Sequence, residues 1–182
     1  MIKRKNKKQS IKFKTAALCT AAAVVGTHCY LRLENDTFAV KSHKLDVNLP
    51  APIKILQISD LHDKQFGGSN SFLKEKVKKL APDLIVLTGD TVSTGGEKLL
   101  STAKFLRELC KIAPVVGILG NHEQRRDVTE FITAAFKAAG VIVLNNELVT
   151  LNINGTDVNI LGLCEHQAIK RIDYAKNVIG IL

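Results

Sequence analysis

Leu84 to Asp90 reads LIVLTGD. Four consecutive apolar residues suit a strand covered on both faces, as in a parallel sheet flanked by other layers, and the Gly-Asp behind them marks a turn. The same rhythm extends in both directions. Upstream, Ile53 to Ile58 (IKILQI) reads as a strand, and Ser71 is positioned to cap a helix through Leu80 whose Phe72, Leu73, Val77 and Leu80 share a face. Downstream, a helix from Glu97 to Ile112 places Leu99, Ala103, Leu106 and Cys110 in register, and Val115 to Leu119 forms a third strand. Asp127 opens a further helix carrying Phe131, Ala135 and Phe136, closed by Gly140, and Val141 to Leu144 is a fourth strand. Leu148 to Ile153 and Val158 to Leu163 then flank Asn154-Gly155, a dipeptide suited to a type I′ hairpin, so the chain ends its parallel pattern with an antiparallel addition. The fold class is α/β.

In such sheets the ligand site lies at the carboxyl ends of the strands. Those ends carry Asp60-Leu61-His62, Gly89-Asp90 and Gly120-Asn121-His122-Glu123. Asp60 and His62 are two apart, so in extended geometry their side chains leave one face and can chelate one cation. A carboxylate with an imidazole suits a divalent transition metal better than calcium. Asp90 has two oxygens with which to bridge a pair of metals, Asn121 offers a neutral oxygen, and His122 is placed to face a substrate and protonate a leaving oxygen. D-x-H and G-D are common by chance. G-N-H-E is expected on the order of once per thousand chains of average composition, which makes it the discriminating motif. Asp63 and Glu123 read as solvated or supporting carboxylates, Arg125 and Arg126 as surface residues with contact to a phosphate as the alternative, and His166 as a loop histidine with metal ligation as the alternative.

The succession SDLH, TGD and GNHE resembles the calcineurin-like metallophosphoesterase family, in its membrane-anchored bacterial phosphodiesterase-like branch. The resemblance covers roughly residues 52 to 165. It implies two packed sheets with outer helices, two divalent metal ions (Mn, Fe or Zn), and hydrolysis of a phosphomonoester or phosphodiester by a metal-bridging hydroxide. By the same resemblance, Asp60 and His62 hold the first metal, Asp90 bridges, Asn121 holds the second, and His122 is the catalytic residue at the phosphoryl group. The sequence departs from the family in one respect. Later histidines, including a G-H-x-H, are expected, and after His122 only His166 occurs. The expectation is therefore a domain of which the amino-terminal part is present, or a non-catalytic membrane-associated protein retaining the first half of the fold.

The 182 residues carry 26 Lys and Arg against 17 Asp and Glu, a net charge of +9. Seven of the basic residues lie in residues 1–14, which contain no acid, so the rest of the chain carries only +2. That localisation excludes a general nucleic-acid-binding surface and describes a basic tail. Thr15 to Leu31 follows without a formal charge and spans roughly 26 Å as a helix, with Lys14 and Arg32 able to snorkel from its ends. The reading is a single transmembrane anchor, with a cleaved signal as the competitor; the basic side stays in the cytoplasm and the body lies outside the cell membrane. A basic-tail adaptor for anionic lipid is a third, weaker reading. The organisation expected is thus a tail over 1–14, an anchor over 15–31, a linker with an incoming strand over 32–50, and a partial phosphoesterase domain over 51–182. Partners are a phosphoester substrate and the membrane. The four cysteines form no C-x-x-C; Cys110 and Cys164 read as small buried residues, with a disulfide between them as the alternative.

Overall fold

The computed structural model describes residues 18–30, 37–46, 49–93, 98–124, 128–163 and 178–181. Two compact units divide the chain, Met1–Ser42 and His43–Leu182. In the first, residues 18–30 form helix α1, exposed along its whole length. Among the described residues no helix is long and apolar enough to cross a membrane. Residues 15–17 and 31 of the expected anchor, and the basic tail, lie outside the described residues, as do Arg125, Arg126, Cys164 and His166. The described part of 32–50 contains no strand. Its side chains are exposed except at Phe38 and Leu49, and residues 32–36 and 47–48 lie outside the described residues.

The second unit carries a four-stranded parallel sheet in the order β1 (Ile55–Ile58), β2 (Leu84–Thr88), β3 (Val115–Ile118), β4 (Ile142–Val143). Helices α2 (Ser71–Leu80), α3 (Leu99–Cys110) and α4 (Thr129–Ala139) make the crossovers. LIVL is buried at every residue because β2 is an inner strand, while the edge strand β1 alternates. That strand begins two residues later than its apolar run. Lys54 leaves the ladder to donate its N–H to the Asp83 carboxylate at 2.7 Å, although Ile53 still packs on the core.

The helices bury narrower stripes than their sequences suggest. Leu73 and Val77 of α2, Phe105, Leu106 and Leu109 of α3, and Ile132, Phe136 and Ala139 of α4 face inward. Phe72 and Phe131, expected on the inner faces, are 68% and 70% exposed, because one residue's step of about 100° carries them off the line of contact. Ser71 is the first helical residue and does not cap; Asn70 stands at that position in the left-handed region, its side chain accepting the Phe66 N–H at 2.8 Å. Gly140 ends α4 as expected, at φ 101°.

A second sheet consists of β5 (Glu147–Ile153), β6 (Thr156–Gly162) and β7 (Val178–Ile181). The β5–β6 hairpin turns on Asn154 and Gly155, both at positive φ, as a type I′ turn requires. The two sheets pack face to face: Leu84, Val86, Val116, Ile118 and Leu144 meet Ile153, Val158 and Ile160. The approach is so close at Gly162 that a Cβ there would overlap the Leu144 side chain. The α/β sandwich with outer helices is thus present. Ile160 is fully buried between the sheets, and Ile160→Ala is expected to lower stability by about 2–5 kcal/mol in urea unfolding, whereas Phe131→Ser is expected to stay within about 0.5 kcal/mol.

Candidate metal centre

Three loops leave the carboxyl ends of β1, β2 and β3, and backbone hydrogen bonds join the first two. Asp60 donates its N–H to the Gly89 carbonyl at 3.2 Å, His62 to Asp90 at 2.9 Å and Asp63 to Thr91 at 3.1 Å, extending the β1–β2 pairing past the strands. This zipping bends the first loop. Asp60, His62 and Asp90 have φ of 55°, 47° and 51°, the left-handed region, a strain of about 1–3 kcal/mol each that surrounding contacts must hold. The extended D-x-H geometry assumed from sequence is therefore replaced by a left-handed turn, in which His62 Nε2 and Asp60 Oδ1 still lie 3.8 Å apart.

The second and third loops touch through glycine. A Cβ on Gly89 would stand 2.7 Å from Gly120 Cα, and one on Gly120 would overlap the Asp90 carboxylate and amide. Both glycines of TGD and GNHE are fixed by this contact, and Gly89 also needs its φ of 91°. Across the same junction Asp90 Oδ1 accepts the His122 N–H at 3.1 Å.

Of the two readings open for Glu123, solvated or supporting, the structure selects the second. Glu123 is fully buried, and its carboxylate accepts N–H groups from Gly120 (2.7 Å), Val92 (2.9 Å) and Asp90 (3.1 Å). Burial pushes its carboxyl above the ordinary value, with the amides of Gly120, Val92 and Thr91 pulling the other way and the Asp90 charge raising it further. Asp63 likewise takes the supporting role, buried and accepting from Ser93 N–H at 2.8 Å and Thr102 Oγ1 at 3.1 Å. For Glu123 a signal existed in the sequence: a glutamate three residues after a loop glycine has the spacing of a reciprocal cap, and Glu123 N–H does return to the Gly120 carbonyl at 3.1 Å.

The candidate ligands fall into two groups that share one residue. His62, Asp90 and His122 each offer a ligand atom, all within 4.8 Å of one another, and the two imidazoles meet edge to face with centroids 5.0 Å apart. Asp60, Asp90 and Asn121 line a pocket of about 170 Å³ together with Thr88, Gln124 and Leu163. Asp90 belongs to both. Two imidazoles and a carboxylate at this separation fit a divalent transition metal. His122, assigned from the resemblance to the phosphoryl group, lies among the ligand atoms, while Asp60 stands outside that trio and reaches it through His62. Cys110 is a free, half-buried thiol whose pKa burial raises.

Removing any of His62, Asp90 or His122 is expected to weaken Mn²⁺ or Zn²⁺ binding, read by calorimetry, by about tenfold or more. Glu123→Ala leaves three amides without their acceptor and is expected to cost at least about 3 kcal/mol of stability. A carboxyl raised in the folded state supports folding fully below the ordinary glutamate value of 4.5, and this support is lost as pH rises through the raised value. Glu123→Gln, which does not titrate, is expected to flatten the metal-free stability profile across that window.

Residues 53–179 match the calcineurin-like phosphoesterase family. The uncharacterized protein YpbG of Bacillus subtilis is 28% identical over 179 residues, covering 91% of this chain and 66% of that protein. An uncharacterized metallophosphoesterase of Aquifex aeolicus is 27% identical over 173 residues, covering 87% and 66%. The UDP-2,3-diacylglucosamine pyrophosphatase LpxG of Chlamydia muridarum is 36% identical over 96 residues, covering 46% and 28%. The chain spans just under two-thirds of the length of the first two relatives. With the family match reaching across most of the chain, and the SDLH, TGD and GNHE loops following three strands of one parallel sheet, this protein belongs to the calcineurin-like phosphoesterase family.

Proposed function

We propose that this chain forms the amino-terminal part of a membrane-anchored, metal-dependent phosphoesterase, hydrolysing a phosphomonoester or phosphodiester. The observation that carries the reading is the double membership of Asp90, which stands with His62 and His122 on one side and with Asp60 and Asn121 on the other. One carboxylate between two donor sets is what adjacent cation sites require. Two divalent cations would supply Lewis-acid polarisation of a phosphoryl oxygen and lower the pKa of an attacking water. The chain's own residues do the rest. His62, on the left-handed turn it shares with Asp60, stands in the first donor set; Asp60 and Asn121 stand in the second, where Asn121 contributes an uncharged oxygen that leaves room for an anionic substrate; and Glu123 holds the Asp90 loop against the His122 loop. His122 is the group that meets the phosphoryl oxygen or leaving group and gives it a proton.

A second reading of His122 is favoured by its place within 4.8 Å of the ligand atoms of His62 and Asp90: it holds a cation instead. His122→Ala separates the two, since loss of rate with unchanged metal affinity identifies the proton donor, and a parallel loss of affinity identifies the ligand.

The anchor and its orientation are part of the proposal. The uncharged run over residues 15–31 and the exposed Leu18, Val24, Val25 and Tyr30 of α1 support it, since apolar side chains all round a helix call for a covering apolar medium. The basic tail supports a cytoplasmic amino terminus with the site outside. With Lys5→Cys and Lys98→Cys variants in intact cells, an impermeant thiol reagent is expected to modify position 98 and spare position 5; the opposite pattern reverses the orientation.

The ligand count gives the activity test. The donors present make about half of a two-metal shell, so the 182-residue chain is expected to hydrolyse a generic phosphodiester at background rate even with manganese. A chain extended through a G-H-x-H is expected to turn over, and Asp90→Asn to abolish that turnover. Chelator-sensitive hydrolysis by the short chain at ordinary enzymatic rates would instead favour completion by His166 or a partner. No activity in an extended chain would favour the non-catalytic alternative.

A further inference from the structure

The helices of the second unit expose large apolar side chains at one level. Phe72 is the second residue of α2, Leu100 the second of α3 and Phe131 the third of α4, and they are 68%, 72% and 70% exposed. Each helix follows a strand of one parallel sheet and runs back against it, so all three first turns lie at the end of the sheet where the β1, β2 and β3 loops gather Asp60, His62, Asp90 and His122. Helical side chains lean toward the helix amino terminus, which tilts these three toward that rim. The Phe72 ring also lies across the backbone at Gly67, where an added Cβ would come within 2.9 Å of it.

Beside α2 and α3 the charges of this ridge are basic, while Glu130 of α4 and the exposed Asp60 of the rim are the acids near it. Lys76 follows Phe72 by one turn, Lys104 follows Leu100 by one turn, and Lys98 precedes α3. Neither α2 nor α3 has an acid in its first turn, where helices ordinarily favour one; α4 contributes Glu130. The carboxylates of α2 and α3 pair with other lysines, Glu75 with Lys79 at 3.5 Å and Glu108 with Lys74 at 3.8 Å and with Lys111. Among the described residues no carboxylate pairs with Lys76, Lys98 or Lys104.

We propose that the first turns of α2, α3 and α4, through Phe72, Leu100 and Phe131 with Lys76, Lys98 and Lys104, dock the rim of the metal centre on a bilayer bearing anionic headgroups. Apolar tips interspersed with lysines suit the boundary between acyl chains and headgroups, where apolar side chains insert and ammonium groups reach phosphates on stems laid along the surface. A protein partner would instead be met by a contiguous apolar patch with charge depleted at its centre. Docking in this way turns the pocket to the bilayer surface, so the substrate is a phosphoester carried by a lipid. That consequence rests on the phosphoesterase reading; the docking surface itself does not.

The chain contains no tryptophan, which makes a single introduced one an unambiguous reporter. F72W, F131W and K137W variants of the 182-residue chain, the last at the opposite end of α4, are reconstituted in vesicles whose acyl chains carry bromine. In phosphatidylglycerol vesicles, emission from F72W and F131W is expected to fall by more than about half and that of K137W to persist, with the loss much smaller in phosphatidylcholine. Position-specific quenching separates docking from tethering by the amino-terminal segment, which is common to all three variants. Unquenched F72W and F131W, equal quenching at all three positions, or equal quenching in both lipids would each overturn the proposal. Because the readout involves no turnover, docking without hydrolysis in the extended chain would overturn the phosphoesterase reading alone.

Discussion

The rim of this molecule depends on one buried carboxylate. Glu123 takes up amide hydrogens from Gly120, Val92 and Asp90, and so ties the loop behind β2 to the loop behind β3 where neither has a ladder left to use. Burying a charged group is costly unless hydrogen bonds replace its water, and three amide donors at 2.7 to 3.1 Å supply that replacement. The Asp90 amide is one of them, so the residue shared by both donor sets is held through its backbone while its carboxylate is left to the rim. Asp63 acts similarly on the other side, fastening the His62 loop to Ser93 and to Thr102 of α3.

These fastenings explain how the left-handed residues persist. Asp60, His62, Asp63 and Asp90 sit at positive φ, and each is cross-linked by a backbone hydrogen bond or by the glycine-to-glycine contact of Gly89 and Gly120. Below them the two-sheet core supplies rigidity, because LIVL is covered by helices on one face and by Ile153, Val158 and Ile160 on the other. The strain is confined to the rim, where donor groups must converge.

Much of the scaffold was legible because it follows local rules. The apolar run at β2, the Asn154-Gly155 hairpin and the Gly140 helix stop each use a conformational preference that a few residues carry by themselves. The helix faces were less legible. An amphipathic pattern says that a stripe is buried, but the azimuth of that stripe is set by the sheet and neighbouring helices, and Phe72 and Phe131 fall just beyond it.

What the sequence by itself determined is the set of strand ends and the residue types placed there: Asp60 and His62, Asp90, Asn121 and His122 each follow a strand of one parallel sheet, and such a sheet puts its strand ends on one rim. What only the tertiary structure decided is how those groups divide. Asp60 turned away from an extended D-x-H, His122 came to lie edge-on to His62, and Glu123 and Asp63 went inside. The reason is that local sequence fixes φ/ψ preference and periodicity, whereas the solvation of a carboxylate and the distance between two side chains depend on which distant backbone amides and glycines are brought against them.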